Sequence, residues 1–261
     1  MNKREYIDAI EDYLASYFQE NDRLSEAMRY SLLAGGKRVR PVLCLELCRV
    51  CGGDWQKAIP AACGIEMLHC YSLIHDDLPC MDDDDMRRGK PSCHIAYGET
   101  TAVLAGDCLQ AEAFLSVTRA QIGEKERFRC VSLLAEAAGL AGICGGQMDD
   151  LLTPETAEAI LKTEKRKTAA LIAAACAMGA ASAGADEGVI EQARAYGDAL
   201  GMAFQLRDDV LDGDGYCALV GENECTALAD EYTQKALRAL DAFSDTEFLV
   251  GLTIQLAGRK N

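Results

Sequence analysis

The stretch AALIAAACAMGAASAG, Ala169 to Gly184, is apolar on nearly every side. Alanine is the strongest helix former, and runs of β-branched residues are scarce throughout the chain. A helix that is apolar all round is normally enclosed by other helices. The stretch therefore predicts a central helix of a large bundle and an all-α fold.

Helical patterns continue on both sides of this stretch, with no strand alternation between them. The 261 residues suffice for a sizeable core, and no linker or low-complexity tract divides them. We therefore expect a single domain over residues 1–261, built as a helical bundle. The predicted helices cover residues 3–19, 22–34, 39–51, a long segment that ends near Leu78, 99–120, 124–138, 140–151, 155–166, 168–183, 187–212, 222–242 and 245–257.

Composition restricts the partners and the compartment. The net charge of −16 argues against a nucleic-acid partner, because phosphate backbones need a basic face. No apolar run reaches the roughly 20 residues of a membrane span, and the charged N-terminus is not a secretory signal. The thirteen cysteines are scattered singly, which indicates a reducing cytoplasm. The one CxxC, at Cys48 and Cys51, lacks a second pair and predicts packing rather than zinc.

One segment concentrates negative charge: DDLPCMDDDDMRRG, Asp76 to Gly89, contains six aspartates. Carboxylates held close raise each other's pKa, so they need open water or a cation. Asp76 and Asp77 end an apolar helix that would carry them out of a core. Pro79 then turns the chain, so that Asp76 and Asp82 can converge. A solvated acidic turn is the alternative interpretation.

A second acidic cluster, FQLRDDVLD, runs from Phe204 to Asp212. On a helix, Asp208 and Asp212 share a face, with Asp209 beside them. Oxygen ligands without histidine or cysteine suit Mg²⁺ or Mn²⁺, and Mg²⁺ held by few carboxylates usually binds substrate phosphates as well. Taken alone, this cluster is equally compatible with an exposed helix face.

Cationic residues gather at predicted helix starts. Lys37, Arg38 and Arg40 follow the Gly35-Gly36 break and precede a helix, which is an arrangement that binds anions. The spacing does not fit a P-loop. Arg87 and Arg88 form a second cationic group, and Lys167, with Thr168 beside it, forms a third. Together with the acidic clusters, they suggest two bound polyanions, one held through metal and one directly.

These segments, in this order, resemble the polyprenyl synthase family of trans-prenyltransferases, in particular bacterial farnesyl diphosphate synthases. The resemblance covers nearly the whole chain. It rests on GGKRVRP (35–41), HCYSLIHDDLPCMDDDDMRRGKPSCH (69–94), LAGDCLQAEAF (104–114), GICGGQMDDL (142–151), KTAALI (167–172) and GMAFQLRDDVLD (201–212).

The resemblance implies an isoprenoid-synthase bundle with a central active-site cavity, and it implies roles for individual residues. The implied metal ligands, for three Mg²⁺ per site, are Asp76, Asp77, Asp82, Asp208, Asp209 and Asp212. The implied substrate contacts are Gly36, Lys37, Arg40, His69, Arg87, Arg88, Lys167, Thr168 and Gln205. The residues expected to carry catalysis are Asp76, Asp82, Lys167 and Asp208. The family also implies a homodimer.

The implied reaction condenses isopentenyl diphosphate with an allylic diphosphate, either dimethylallyl or geranyl diphosphate. Metal ions neutralise the leaving diphosphate, the allylic C–O bond ionises, the isopentenyl double bond attacks, and a proton leaves. Tyr71 and Ser72, five and four residues before Asp76, would form the floor of the cavity for the growing tail. An aromatic residue there favours a farnesyl product over a geranylgeranyl product, although Tyr71 could also be an ordinary core residue.

Two segments are shorter than the family pattern. Asp212 is followed only by Gly213–Gly215, where the family carries a loop with lysines, and the stretch from Gln147 to Lys167 is also short. Either the protein has lost a lid over the metal site, or internal residues are missing from this sequence. A non-catalytic subunit of a prenyl synthase and a terpene cyclase are the rival functional interpretations.

Overall fold

The computed structural model describes residues 3–259. Its α-helices are α1 (Lys3–Tyr17), α2 (Arg23–Leu32), α3 (Val39–Val50), α4 (Trp55–Asp76), α5 (Cys93–Tyr97), α6 (Glu99–Thr118), α7 (Glu124–Ala138), α8 (Ile143–Leu151), α9 (Ala157–Glu164), α10 (Ala170–Ser182), α11 (Glu187–Asp212), α12 (Gly215–Val220), α13 (Glu222–Ala239) and α14 (Glu247–Ala257). A π-helical turn, Lys165–Ala169, joins α9 to α10, and a short 3₁₀ helix, Leu240–Ala242, follows α13. The strands β1 (Met86–Arg87) and β2 (Lys90–Pro91) form an antiparallel hairpin.

The centre of the bundle is α10, in which every residue from Leu171 to Ser182 is buried. Glycines bring the neighbouring helices close to it. A Cβ on Gly179 would lie 2.8 Å from the Cβ of Leu47 in α3, and one on Gly197 of α11 would lie 2.7 Å from the Cα of Ala173. The predicted all-α fold with a central alanine-rich helix is confirmed.

One apolar core extends from α1 to α14, and a smaller cluster lies beneath α12. The smaller cluster consists of Leu206, Tyr216, Cys217, Cys225 and Ala229. The single domain over residues 1–261 stays a prediction, and residues 1, 2, 260 and 261 lie outside the described part of the chain.

The structure differs from the predicted elements mainly around the acidic segment. The helix α4 ends at Asp76, two residues earlier than expected, because Pro79 also disfavours the helical conformation at Leu78, the residue before it. The hairpin that follows was not predicted. Its two-residue loop, Arg88-Gly89, has positive φ at both positions, 54° and 75°, which is the conformation that tight hairpins favour. The short helices α5 and α12 were also not predicted.

Within residues 3–259, one stretch, Glu124–Leu151, is long and apolar enough by composition to cross a membrane. It is divided between α7 and α8, which have 15 and 9 residues. Each is shorter than the roughly 20 residues that a span needs. All thirteen cysteines are free, so Cys48 and Cys51 pack without forming a disulfide.

Candidate active site

Three helix ends meet at one end of the bundle. The helices α4 and α11 both pack on α10. A Cβ on Gly201 of α11 would lie 2.6 Å from the Cα of Ala169, so the second half of α11 runs close beside the π turn. The charge of Lys167, in the same turn, acts on Asp76 at the end of α4. The first and second acidic clusters therefore lie on either side of the start of α10.

The first acidic wall is formed by the end of α4 and the loop after it. The backbone N–H of Asp82 donates to the carbonyl of Asp76 at 2.9 Å, so the chain folds back as predicted. Burial raises the pKa of Asp76 to about 6; Asp82 and Asp77 also raise it, while Lys167 and Arg87 lower it. A carboxylate whose charge is destabilised in this way is a favourable position for a cation.

Asp77 and Arg87 are paired with each other. Arg87 Nε donates to Asp77 Oδ1 at 2.8 Å, and a second guanidinium nitrogen reaches Asp84 at 3.0 Å. Asp77 is almost fully buried, and burial raises its pKa against the opposing effect of Arg87. The structure thus places Asp77 where it anchors the acidic loop, and not beside Asp76 as an open carboxylate.

A cationic cluster lies behind this wall. Arg88 donates to the carbonyl of Gly35, and its guanidinium carbon would lie 3.1 Å from a Cβ on Gly36. Burial and the nearby charge of Arg88 lower the pKa of Arg40, whose Nε is buried without a partner among the described residues. Burial and these arginines lower the pKa of His69 well below its usual range. The charge of Glu66 compensates Arg40 only in part, and Arg88 lies close to it, so a bound anion would stabilise these side chains further.

Arg38 does not belong to this cluster, so the expectation that it contributes to an anion site is wrong. It has a left-handed backbone, with φ of 48°, and is 2% exposed. Its side chain forms ion pairs with Glu11 and Glu66, both at 2.7 Å, and donates to the carbonyl of Leu32 at 2.8 Å. Arg38 therefore ties α1 and α4 to the start of α3.

The second acidic wall is the C-terminal part of α11. Asp208 lies 3.3 Å from Arg259 and is reached by the charge of Lys37. Burial and the neighbouring Asp212 raise the pKa of Asp208, whereas Arg259 and Lys37 lower it. Asp212 is exposed one turn further on. The charge of Lys37 therefore places Asp208 on the side of α11 that faces the loop before α3.

Asp209, the neighbour of Asp208, is held by protein hydrogen-bond donors. It is 2% exposed, and it accepts hydrogen bonds from Gln205 Nε2 at 3.1 Å and from the backbone N–H of Tyr216 at 2.9 Å. Both carboxylate oxygens are therefore satisfied by protein donors, in contrast to the predicted role as a metal ligand. Glu164 lies beside Asp209, and burial together with this neighbour raises the pKa of Glu164.

Lys167 lies between the two walls. Its Nζ donates to Asp150 at 2.6 Å. A Cβ on Gly146 would lie 2.6 Å from the Cα of Lys167, so the glycine allows α8 to approach the π turn closely. Single π turns of this kind often mark functional sites. Lys167 and Thr168 line one cavity with Gln205 and Asp209.

A second cavity lies beside Asp76. It is lined by Tyr71, Ser72, His75, Asp76, Met81, Ile143, Cys144, Gln147, Met148 and Leu151. Tyr71 is buried, with its hydroxyl 3.3 Å from Cys144 Sγ and its ring edge-on to His75. Ser72 Oγ donates to the carbonyl of His69 at 2.9 Å. Both residues predicted to limit chain length therefore lie at the wall of this mostly apolar cavity.

Three features of the site could not be assigned from the sequence. These are the ion pair between Arg259 and Asp208, the bond between Asp150 and Lys167, and the packing of His75 against Gly106. The pair Gly145-Gly146 does mark Gln147, which follows it, as either a site residue or a packing position. The same pattern places Asp150 one helical turn after Gln147, whereas the other two features depend on contacts between distant helices.

Comparison with known proteins agrees with this arrangement. Residues 21–246 match the family model described as polyprenyl synthetase. The chain is 43% identical over 222 residues to the farnesyl diphosphate synthase of Bacillus subtilis (strain 168), covering 82% of this chain and 75% of that protein. It is 48% identical over 203 residues to geranylgeranyl pyrophosphate synthase 11, chloroplastic, of Arabidopsis thaliana, covering 74% of this chain and 57% of that protein.

Solved structures are similar over almost their full length. An FPP/GFPP synthase from Zymomonas mobilis superposes with a TM-score of 0.91 at 34% identity, covering 96% of this chain and 95% of that chain. A geranyltransferase from Legionella pneumophila gives a TM-score of 0.90 at 32% identity, covering 98% and 95%. The chain spans only 55% to 61% of the length of five chloroplastic Arabidopsis relatives. The sequence match, the fold and the arrangement of the acidic and cationic residues lead to one conclusion: this chain belongs to the polyprenyl synthetase family.

Proposed function

We propose that this protein is a short-chain trans-prenyltransferase that condenses isopentenyl diphosphate with an allylic diphosphate, either dimethylallyl or geranyl diphosphate. The observation that carries the proposal is the position of Lys167. Its charge acts on Asp76 of the first acidic wall, and its side chain lines a cavity with Gln205 of the helix that forms the second wall. The buried guanidinium of Arg40, with Arg88 near it and neutral His69 beside them, supplies a separate place for a second diphosphate.

Members of the family use divalent metals. The residues present fit such ions, because Asp76, Asp82, Asp208 and Asp212 offer oxygen donors and the buried charge of Asp76 is destabilised. Among residues 3–259, no three or more histidine, cysteine, aspartate or glutamate side chains are close enough together to hold a metal ion by themselves. Mg²⁺ typically completes its coordination with substrate phosphate oxygens in open sites of this kind. We therefore propose Mg²⁺, up to three ions per site, with Mn²⁺ as a substitute.

The bound ions would neutralise the negative charge that develops on the leaving diphosphate. Lys167 and Arg87 bind the allylic diphosphate next to Asp76, and Thr168 and Gln205 line the same side. Isopentenyl diphosphate is held by the cationic cluster behind the first wall, which consists of Lys37, Arg40, His69 and Arg88, with Gly36 making room for Arg88.

The steps follow from this placement. The allylic C–O bond breaks, and its electron pair stays on the diphosphate. The isopentenyl double bond then forms the new carbon–carbon bond, and a proton passes from the resulting cation to the departed diphosphate. The low pKa of His69 keeps the imidazole neutral, so it binds a diphosphate oxygen through an N–H without titrating.

We propose farnesyl diphosphate as the main product. Tyr71 closes the cavity beside Asp76 and is braced by Cys144 and His75, so it forms a floor that does not rotate away readily. A geranylgeranyl product is the second candidate, because the chain is similar to synthases named for either product.

We further propose that the protein is a cytoplasmic homodimer. Apolar side chains are exposed on α6 and α7, where Leu104 is 51% and Phe128 75% exposed. Docking of a second copy of the chain would remove these side chains from water. Sedimentation equilibrium at micromolar concentration should give twice the chain mass, and a single-chain mass would refute the dimer.

The test is to incubate the purified protein with Mg²⁺, isopentenyl diphosphate and geranyl diphosphate, and to chromatograph the product. Asp76→Asn is the matched control, since it preserves shape and removes the charge. Diphosphate release that requires both substrates supports the proposal. Release from geranyl diphosphate alone would indicate a cyclase, and no release would indicate a non-catalytic subunit.

A further inference from the structure

Gln147 on α8 carries a buried amide without a partner. The residue is 9% exposed, and within residues 3–259 neither Nε2 nor Oε1 forms a hydrogen bond. Leaving a buried polar group unpaired costs about 1–3 kcal/mol per group. A buried group of this kind in a native protein calls for an explanation, and a functional role is one.

The position of the amide indicates what its partner is. Gln147 lines the cavity that contains Asp76 and Tyr71. The residue before it, Gly146, packs on the backbone of Lys167, whose charge acts on Asp76. The amide therefore lies where the diphosphate-binding groups end and the apolar part of the cavity begins.

The other polar groups around this cavity are already engaged. The Tyr71 hydroxyl contacts Cys144, Ser72 Oγ donates to a backbone carbonyl, and His75 Nε2 lies 3.0 Å from the carbonyl of Val103. Asp76 is proposed to bind metal. Among the described residues that line the cavity, Gln147 thus offers a neutral oxygen with both lone pairs unused.

We propose that Oε1 of Gln147 faces the allylic carbon that becomes cationic when the C–O bond breaks, and that it stabilises this positive charge. The inference rests on the proposed prenyltransferase function. The electron pair of the broken bond stays on the diphosphate, and Gln147 forms no bond and transfers no proton. A fixed carbonyl dipole that faces developing charge needs no reorganisation during the step. In this proposal Gln147 is a catalytic residue that acts on the hydrocarbon rather than on the diphosphate.

Binding of a charged analogue tests the proposal without turnover. The probes are a geranyl analogue with a tertiary ammonium at the reacting carbon and its neutral carbon isostere, each titrated calorimetrically with Mg²⁺ and inorganic diphosphate. The wild type should bind the ammonium probe about 10-fold more tightly than the isostere, as expected for a charge-assisted contact. Gln147→Leu should reduce this preference to about 2-fold or less while leaving affinity for the isostere unchanged.

Two variants complete the design. Gln147→Glu retains an oxygen acceptor and should keep or increase the preference, whereas Gln121→Leu, on an exposed loop, should not change it. Equal melting temperatures for wild type and Gln147→Leu establish that folding is intact. A preference that survives in Gln147→Leu overturns the inference, as does its loss in Gln147→Glu, which would assign the role to Nε2. A wild type that binds neither probe overturns the proposed function itself, and the inference with it.

Discussion

Replacing Gly106 with alanine should disturb the first acidic wall from a distance. A Cβ at this position of α6 would lie within 3.0 Å of three atoms of the His75 ring, the farthest at 2.9 Å. Carbon atoms in contact are normally about 3.5–4.0 Å apart. The ring cannot move away freely. Its Nε2 lies 3.0 Å from the carbonyl oxygen of Val103, and the ring packs edge-to-face with that of Tyr71. Since His75 precedes Asp76, the overlap acts directly on the end of α4.

The expected magnitude is the sum of three effects. Overpacking costs about 1–3 kcal/mol, and the loss of the His75 hydrogen bond costs about 1 kcal/mol. Alanine in place of glycine in a helix returns about 0.8–1 kcal/mol. Gly106→Ala should therefore lower the free energy of unfolding by about 1–3 kcal/mol, which is a decrease of about 3–10 °C in melting temperature for a chain of this size.

A double-mutant cycle isolates this contact. His75→Ala removes the ring, so alanine at position 106 fits in that background and adds helix propensity. The coupling energy between the two substitutions should be at least about 1 kcal/mol in favour of the double variant. Urea unfolding of the four proteins measures it, and Mn²⁺ binding followed by electron paramagnetic resonance reports the position of Asp76. Stability of Gly106→Ala equal to that of wild type, or additive effects of the two substitutions, would contradict this expectation.

Four further expectations follow from the structure. The pKa of Asp76 is about 6 in the folded protein instead of 3.8. Between pH 3.8 and pH 6, the folded protein therefore binds more protons than the unfolded chain, and its free energy of unfolding falls as the pH rises. In metal-free urea unfolding, Asp76→Asn should remove that fall and be more stable at pH 7 by up to about 3 kcal/mol; identical pH profiles would contradict this. Arg38→Met leaves Glu66 buried and unpaired and should cost about 3–5 kcal/mol in the same assay, with most of it restored by adding Glu66→Leu. Tyr71→Ala should lengthen the chromatographed product, whereas Tyr71→Phe, which keeps the bulk, should not. Mass spectrometry of the intact protein should give 28.1 kDa if the short loop after α11 is genuine, and a larger mass would indicate missing internal residues.

The helical framework could be predicted because its causes are local. The central position of α10 follows from its alanine content and from the absence of a polar face, and both can be read from the sequence. The position of Asp208 and Asp212 on one face of α11 follows from their spacing of four residues alone. The convergence of Asp76 and Asp82 needed only the turn at Pro79.

The predictions that are wrong concern side chains whose direction depends on residues distant in the sequence. Arg38 and Arg40 are two residues apart and chemically alike, yet Arg38 turns inward because Glu11 and Glu66 are there to receive it. Asp208 and Asp209 are adjacent, but successive positions on a helix point about 100° apart, so Asp208 meets Arg259 whereas Asp209 meets Gln205 and Tyr216. The partner of Asp209 is the backbone of α12, a helix too short for its pattern to be recognised.

The distribution of thiols has a practical consequence. Nine of the thirteen cysteines are buried, and burial raises the pKa of many of them, which keeps them unreactive. The two that are exposed, Cys80 and Cys144, flank Asp76 in the acidic loop and in the tail cavity. A maleimide dye would therefore attach at the mouth of the enzyme first, and bound ligand should shield it.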